Sequence, residues 1–352
     1  MTHPYSDLPP EAFWRTAVAA HNPLKIRGLW QPKFRILRKH RIATAGSCFA
    51  QHIGQALAGR GYNWFNAEEA PSLLPAEARA EFNYGIFSFR TGNIYTAAML
   101  LQWLQLAYGL RDPIEEVWQQ HGRFFDPLRP VIEPGGFASA EELFGSRESV
   151  LAAIRRAVEE AHVFVFTMGL TESWRNLQAG FEYALCPGTT AGTFDAETHG
   201  FHNHQMGAIL DDMRKVLRIM KRRNKRLRVL LTVSPVPLTA TASGQHVLTA
   251  TTYSKSVLRA VAGQLVDELD FVDYFPSYEI VTHPIYRGMF FAPNQRTIVH
   301  EGVDVVMQNF FDDQTAAFGD EKPTPARKAR PAAPGPGCGG VKCEEEMLGA
   351  FA

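Results

Sequence analysis

Four short, almost uninterrupted apolar runs constrain the fold of this chain most strongly. They are RIATA at 41–45, HVFVFTM at 162–168, RVLLTVS at 228–234 and LDFVDYF at 269–275. A strand that is apolar at nearly every position must be covered on both faces, as in a parallel sheet with helices on each side. The four runs therefore predict neighbouring parallel strands of one sheet.

The segments between these runs have the spacing of amphipathic helices. The stretch at 206–224 places five large apolar side chains on one stripe: Ile209, Met213, Val216, Leu217 and Met220. Further helices are predicted at 146–161, opening with polar residues from Ser146, and at 253–269 and 301–311. Alternating strands and helices predict the α/β class, in the form of a three-layer α/β/α sandwich with a mainly parallel sheet.

Composition divides the chain into three parts. Residues 1–39 form an N-terminal lead-in segment, and residues 40–315 carry the strand and helix patterns of the predicted domain. Residues 320–352 are rich in Pro, Ala and Gly with clustered like charges, which predicts a disordered tail. The tail cysteines, Cys338 and Cys343, lack a further Cys or His partner and are expected to be solvated thiols rather than zinc ligands.

Charge and cysteine content limit the partners and the compartment. Lys plus Arg and Asp plus Glu number 36 each, so the formal net charge is zero and nothing draws the chain to nucleic acid or to an anionic membrane. No apolar run reaches about 18 residues, and the N-terminus has no leader-like pattern. Four scattered cysteines are too few for a disulfide framework, which predicts a cytoplasmic location.

The predicted sheet also indicates where chemistry should take place. In doubly wound folds, sites lie beyond the carboxyl ends of the strands. Ser47, residues 169–172, residues 235–238 and residues 276–278 each follow one of the four runs and are expected to converge.

Ser47 follows Gly46 directly before a helical pattern, and two interpretations fit that position. Gly46 allows a sharp turn, and the following helix would direct its N-terminal N–H groups at anything attached to a nucleophilic Ser47 oxygen. A serine that only caps the helix fits the Gly-Ser pair equally well. Cys48 is an alternative nucleophile beside the same helix start, although a residue entering a helix more often packs as a small apolar group.

Five motifs occur in one order along the chain: GSCFA at 46–50, RTGNIYTAAMLLQW at 90–103, FTMGLTESW at 166–174, LLTVSPVPL at 230–238 and DYFPSYEI at 273–280. Together they resemble the GSCFA domain family, which is related to the SGNH, or GDSL-like, hydrolases. The resemblance implies a three-layer α/β/α fold and ester-hydrolase or acyl-transfer chemistry.

The same resemblance implies roles for single residues. Ser47 takes the position of the nucleophile, and Gly92 and Asn93 resemble the second block of oxyanion donors. Gly169 and Thr171 occupy the third block, where Thr171 stands in place of the asparagine of SGNH enzymes and offers a shorter hydroxyl donor.

His300 precedes the last predicted helix, as the catalytic base of SGNH enzymes does. Thr297 stands where the orienting aspartate belongs, so the resemblance implies a Ser-His dyad or an orienting group from elsewhere. A structural histidine at the start of a helix is the alternative for His300.

A second group of histidines lies in the sequence HGFHNH. If this stretch is extended, His202 and His204 project to one face, and with His199 they could hold a metal ion. Loop histidines without an acidic or Cys ligand nearby are the favoured interpretation, so no metal is predicted. His202 or His204 is the alternative base if His300 is not.

The sequence therefore predicts a serine ester hydrolase or O-acyl transferase, without a cofactor, that acts on a small-molecule or carbohydrate acyl ester. The alternatives are a noncatalytic carbohydrate- or ligand-binding domain of the same fold, and a metal-dependent protein built on His199, His202 and His204. No oligomeric state is predicted.

Overall fold

A computed structural model of the chain describes residues 3–321 and 343–351. The strands in these residues are β1 (Ile42–Gly46), β2 (Trp118–Gln120), β3 (Arg123–Phe125), β4 (Val163–Met168), β5 (Glu172–Asn176), β6 (Glu182–Tyr183), β7 (His199–Asn203), β8 (Arg228–Val233) and β9 (Val272–Tyr274). The α-helices are α1 (Phe49–Gly59), α2 (Ala76–Glu81), α3 (Ala97–Ala107), α4 (Ala140–Glu160), α5 (Met206–Arg223), α6 (Val247–Glu268), α7 (Ser277–Thr282) and α8 (His300–Phe318).

The central sheet has the spatial order β1-β4-β8-β9, and every neighbouring pair is parallel. Each of its strands lies within one of the four apolar runs, so the predicted parallel sheet is confirmed. The register sets Ile42 opposite Val163, Val163 opposite Arg228 and Leu230 opposite Asp273.

Alternate residues of β4 face two separate apolar clusters. Phe164 and Phe166 belong to the larger cluster, which includes residues of α3, α4, α5 and α6. Val163 and Val165 belong to the second cluster, which includes residues of α1, α7 and α8. Helices therefore cover both faces of the sheet, and the predicted three-layer α/β/α class is confirmed.

The predicted helices are present, but their bounds differ: α4 and α6 each begin six residues early, and α8 continues seven residues past 311. α5 covers the predicted stretch at 206–224 almost completely, whereas α4 begins six residues before Ser146. Its N-cap is Ser139, whose hydroxyl accepts a hydrogen bond from the Glu142 amide at 3.2 Å. Since that cap stabilises the first turn, the prediction of a helix start at Ser146 is wrong.

The lead-in segment packs onto the domain. Trp30, Phe34 and Ile36 lie in the second apolar cluster, and the Trp30 amide donates to the Asp313 carboxylate of α8 at 2.9 Å. Burial of large aromatic side chains such as Trp30 and Phe34 contributes a few kcal/mol to folding, because each Å² of apolar surface removed from water contributes about 25 cal/mol.

Two small antiparallel sheets complete the architecture. β2 pairs with β3, while β5 lies between β6 and β7. The sequence HGFHNH forms β7 and the residue after it, so the extended conformation considered for these histidines is confirmed.

The predicted tail falls in large part on residues 322–342, which lie outside the described residues, and for them the prediction stands untested. Residues Glu344–Phe351 instead form a 3-10 helix that packs against the domain. Glu344 and Glu345 are only 6% and 7% exposed. None of the helices in the described ranges is long and apolar enough to cross a membrane.

Candidate active site

The carboxyl end of β1 places Ser47 in the interior. Gly46 closes the strand with a φ of +128°, and the Ser47 amide donates to the Thr167 carbonyl at 3.0 Å. Ser47 is 2% exposed, and its hydroxyl has no hydrogen-bond partner within the described residues. α1 begins at Phe49 with Cys48 at the N-cap and no side-chain capping bond. The interpretation of Ser47 as a capping hydroxyl is therefore wrong.

Gly169 packs directly against Ser47. A β-carbon at position 169 would lie 3.0 Å from the Ser47 β-carbon and 3.0 Å from the Tyr95 carbonyl oxygen, so a side chain here would force its neighbours to shift. The amides of Gly169 and Leu170 both donate to that Tyr95 oxygen, at 3.1 and 2.9 Å. The Gly169 N–H, an expected oxyanion donor, is therefore engaged by Tyr95 in this arrangement.

Two more hydroxyl groups are buried near Ser47 without a partner in the described part of the chain. They belong to Thr167, the second-last residue of β4, and to Thr171, two residues beyond Gly169. Both residues are 0% exposed. Thr171 is held by its backbone, because its amide donates to Ser254 Oγ at 3.0 Å. A buried hydroxyl without a partner costs about 1–3 kcal/mol. Three such hydroxyls at the carboxyl ends of β1 and β4 therefore indicate a binding site for a ligand or a reacting group.

Gly92 and Asn93 reach the site on the loop before α3. The Ile94 amide donates to the Gly46 carbonyl at 2.9 Å, which fixes this loop beside the serine turn. Gly92 has a φ of +71°, and a β-carbon there would lie 3.3 Å from the carboxyl carbon of Glu344. The backbone N–H of Asn93 donates to Glu344 Oε1 at 3.5 Å. The expected second-block donors therefore face a carboxylate from the C-terminal helix.

His300 is the first residue of α8, and its side chain is 72% exposed. Its Nε2 lies 3.5 Å from Asp304 Oδ2, one helical turn further on. Thr297 accepts a hydrogen bond from Asn294 Nδ2 at 2.9 Å. Ser47 and His300 are therefore not hydrogen-bonded in this structure, and Asp304 rather than residue 297 offers His300 a carboxylate.

His199, His202 and His204 lie in and beside β7. His199 Nδ1 accepts from the Asp195 amide at 3.0 Å, and the rings of His202 and His204 stack edge to face at 4.4 Å. His204 Nε2 lies 3.1 Å from Ser173 Oγ and 3.5 Å from Glu182 Oε1. No group of three or more His, Cys, Asp or Glu side chains in residues 3–321 and 343–351 is placed to hold a metal ion.

The environment of Cys48 disfavours its thiolate. A hydrogen bond with the Cys343 thiol, followed by burial, raises the pKa of Cys48 well above its ordinary value. The reactive form of a cysteine is the thiolate, so Cys48 is a weaker nucleophile here than a helix N-terminus alone would suggest.

Two cationic side chains that sequence reasoning missed complete the site. Lys255 of α6 is 1% exposed, and its Nζ donates to the Gly169 carbonyl at 2.7 Å. Arg296 lies on the loop before α8, where Nε donates to the Pro237 carbonyl at 3.2 Å. The signal for Lys255 was its position, because it falls three residues before Leu258 and seven before Ala262 on the buried stripe of α6.

A cavity of about 300 Å³ lies beside these groups. Its walls are mainly apolar and include Leu170, Trp174 and Leu238, while Tyr95 links it to the Gly169 turn. Glu345 and Leu348 of the C-terminal helix form part of its lining. An apolar cavity with a few polar groups at one end is the usual form of a small-molecule site.

Comparison with known proteins agrees with this arrangement of motifs. Residues 41–310 match the GSCFA family. Since the match covers most of the chain, the protein belongs to the GSCFA family, and the resemblance inferred from its motifs is confirmed. No curated protein matches the chain.

Proposed function

We propose that the protein is a serine ester hydrolase or O-acyl transferase with Ser47 as nucleophile, acting on an acyl ester such as one carried by a carbohydrate. The observation that carries the proposal is the buried, unpartnered Ser47 hydroxyl at the carboxyl end of β1, against Gly169 and directly before α1. A hydroxyl that is only structural would normally be hydrogen-bonded at this depth.

In the proposed reaction, Ser47 Oγ attacks the ester carbonyl carbon while its proton passes to a base. The C–O bond to the alcohol then breaks, and the alcohol leaves with that proton. Water or a second hydroxyl next attacks the acyl-serine, and the acid or the new ester is released with Ser47 restored. The Thr171 hydroxyl, Asn93 and the N-terminal end of α1 are the proposed stabilisers of the developing oxyanion, since hydrogen-bond donors and helix dipoles act there.

His300 is the proposed base. Asp304 lies 3.5 Å from its Nε2 and supplies the orienting carboxylate that position 297 lacks. Transfer of the Ser47 proton requires the exposed imidazole to turn towards Ser47, because the two side chains are not hydrogen-bonded here. His202 and His204 are less suited, because His204 already contacts Ser173 and Glu182.

The proposal includes a cytoplasmic location and a small-molecule or carbohydrate acyl ester as the binding partner. Cys48, Cys186 and Cys343 are free thiols, as suits a reducing compartment such as the cytoplasm.

A fluorophosphonate probe tests the nucleophile. The wild-type chain is expected to be labelled, Ser47→Ala to remove labelling, and the neighbouring Cys48→Ser to retain most of it. His300→Ala should slow the turnover of p-nitrophenyl acetate by about 10²- to 10⁴-fold, the usual contribution of a general base. Labelling of Ser47→Ala equal to wild type would exclude this nucleophile.

The same experiment decides the main alternative, a noncatalytic ligand-binding domain. The separation of Ser47 from His300 favours that alternative, and the cavity beside Tyr95 would then be the binding site. A wild-type chain that resists the probe and hydrolyses no ester would support it.

A further inference from the structure

The C-terminal helix occupies the candidate site through several independent contacts. The Glu344 carboxylate packs against Gly92 and accepts from the backbone N–H of Asn93. The Glu345 amide donates to the Tyr95 hydroxyl at 3.4 Å, and Arg296 Nη2 donates to Cys343 Sγ at 3.3 Å. Residues 343–345 therefore lie among the loops that follow β1, precede α3 and precede α8.

Glu345 forms an ion pair with Arg296, and Lys255 lies close enough to lower the pKa of Glu345. Its Oε2 lies 3.5 Å from Arg296 Nη2, and the side chains of Arg296 and Glu345 are 14% and 10% exposed. Burial, with the nearby Cys343, raises the pKa of Glu345 to about 8, while Arg296 and Lys255 act in the opposite direction. Arg296 is the cation that directly contacts the Glu345 carboxyl group.

When the segment that carries Cys343 and Glu345 leaves, Arg296 loses both of the acidic groups that contact it at this depth. In the part of the chain that the structure describes, the carboxylates within ion-pair distance of Arg296 belong to Glu345 and the exposed Glu346. Lys255 contacts the Gly169 carbonyl, and no ion pair of Lys255 occurs within the same residues. Glu172, on the cavity wall, accepts instead from the Thr241 hydroxyl at 2.7 Å. A buried cation without an anion costs several kcal/mol, so this position calls for a negative group.

Apolar surface adjoins the same position. Glu345 lines the cavity together with Leu170, Trp174 and Leu238. A ligand that replaced Glu345 would therefore need a carboxylate at one end and an uncharged chain beside it.

We infer that Lys255 and Arg296 form a carboxylate-binding subsite next to Ser47, and that Glu345 occupies this subsite in the free chain. The ester that the site takes then carries a carboxylate near its scissile carbonyl, as a dicarboxylic acid half-ester does. Substrate and the C-terminal helix compete for one position, so the helix lowers the apparent affinity for acidic esters. The substrate class rests on the proposed ester chemistry, whereas the carboxylate subsite does not.

Two esters with the same leaving group test the substrate class. These are mono-p-nitrophenyl succinate, which has a free carboxylate, and p-nitrophenyl butyrate, which has none. In full-length Glu345→Ala, the ratio of kcat/KM for the acidic to the neutral ester should rise about tenfold over wild type, the equivalent of one charge-assisted hydrogen bond. Arg296→Gln in the same background should return the ratio to the wild-type value. The exposed Glu197→Ala, which removes a carboxylate elsewhere, should leave the ratio unchanged.

Calorimetry with succinate tests the subsite without turnover, and uncharged succinamide is the matched control. Succinate should bind Glu345→Ala about tenfold more tightly than wild type, and Arg296→Gln should abolish that gain. Equal binding of succinate and succinamide by Glu345→Ala overturns the subsite. Succinate binding without hydrolysis of any ester supports the subsite and defeats the proposed esterase, whereas hydrolysis with an unchanged ester ratio defeats the subsite and leaves the esterase standing.

Discussion

The Ser47 amide donates a hydrogen bond to the Thr167 carbonyl at 3.0 Å, which extends the pairing of β1 with β4 one residue beyond the strand. This bond fixes the serine backbone and uses the N–H that would otherwise be closest to an oxyanion on Ser47. The proposed oxyanion donors must therefore come from other residues. The Thr171 hydroxyl is one of them, because it is buried two residues beyond Gly169 and has no partner in the described residues.

Gly46→Ala should destabilise the protein by about 3 kcal/mol or more. The φ of +128° is unfavourable for alanine, and the new β-carbon would lie 2.7 Å from the Thr167 amide nitrogen. Urea unfolding measures the change in the free energy of unfolding. Gly145→Ala is the matched control, because Gly145 lies inside α4 with no atom within 4 Å of its would-be β-carbon. That variant should stabilise the chain by about 0.5–1 kcal/mol, and equal effects at the two positions would contradict the structure.

Asp126→Asn should be among the most damaging single changes outside the site. Asp126 has a fully buried carboxylate that lies 2.9 Å from Arg129 Nε and 2.7 Å from Arg147 Nη2. Burial acts to raise its pKa, but the two arginines outweigh burial and hold the pKa below its ordinary value. Removing the charge leaves two buried guanidinium groups and should cost about 3–5 kcal/mol in the free energy of unfolding.

The control for Asp126 is Asp211→Asn, since Asp211 is 65% exposed in its pair with Arg214. Exposed pairs contribute about 0–1 kcal/mol, so chemical denaturation should barely distinguish this variant from wild type. If Asp126→Asn lowers the free energy of unfolding no more than Asp211→Asn does, the buried ion pairs of Asp126 do not stabilise the fold.

His52 should make the fold less stable in mild acid. Burial, with a smaller effect from His300, lowers the pKa of His52 from 6.5 to about 4. Between these values the unfolded chain binds a proton that the folded chain does not, so stability is complete above pH 6.5 and declines as the pH falls towards 4. From pH 7 to pH 5 the expected loss from this residue is about 2 kcal/mol.

Urea unfolding at pH 7 and pH 5, in wild type and in His52→Gln, measures that loss. The variant should show a pH dependence that is smaller by about the same 2 kcal/mol. An identical pH dependence in the two proteins would mean that His52 titrates normally in the folded state.

The central sheet could be predicted from the sequence because burial on both faces leaves a local mark. Continuous apolar runs such as HVFVFTM can lie only between two layers of helices. The start of α4 also left a signal that was missed, a Ser and a Glu three residues apart: the Ser139 hydroxyl accepts from the Glu142 amide, and Glu142 Oε2 accepts from the Ala138 amide at 2.8 Å. The short strands β5 and β6 left none, since ESWRN is mostly polar and β6 has two residues.

The candidate site could be predicted only in part, for a related reason. Ser47 and Gly169 follow buried strands, so topology alone brings them together. The C-terminal helix reaches Asn93 across 251 positions of sequence, and Glu344 and Glu345 stand in a run of three glutamates that resembles a solvated terminus. Charge and composition describe how such a segment behaves in water, but they do not reveal the buried cations, Lys255 and Arg296, that hold it.

The pairing of His300 with Asp304 yields the last prediction. If Asp304 orients the imidazole from 3.5 Å, Asp304→Asn should lower kcat for p-nitrophenyl acetate by about tenfold or more, because the neutral amide no longer stabilises the charge that the imidazole acquires with the Ser47 proton. Thr297→Asp in the Asp304→Asn background should restore part of that rate, since it places a carboxylate three residues before His300. Glu301→Gln removes the exposed charge next to His300 in the sequence and serves as the control for loss of a charge alone, with kcat expected within about twofold of wild type. An Asp304→Asn enzyme with the wild-type rate would show that Asp304 does not orient His300.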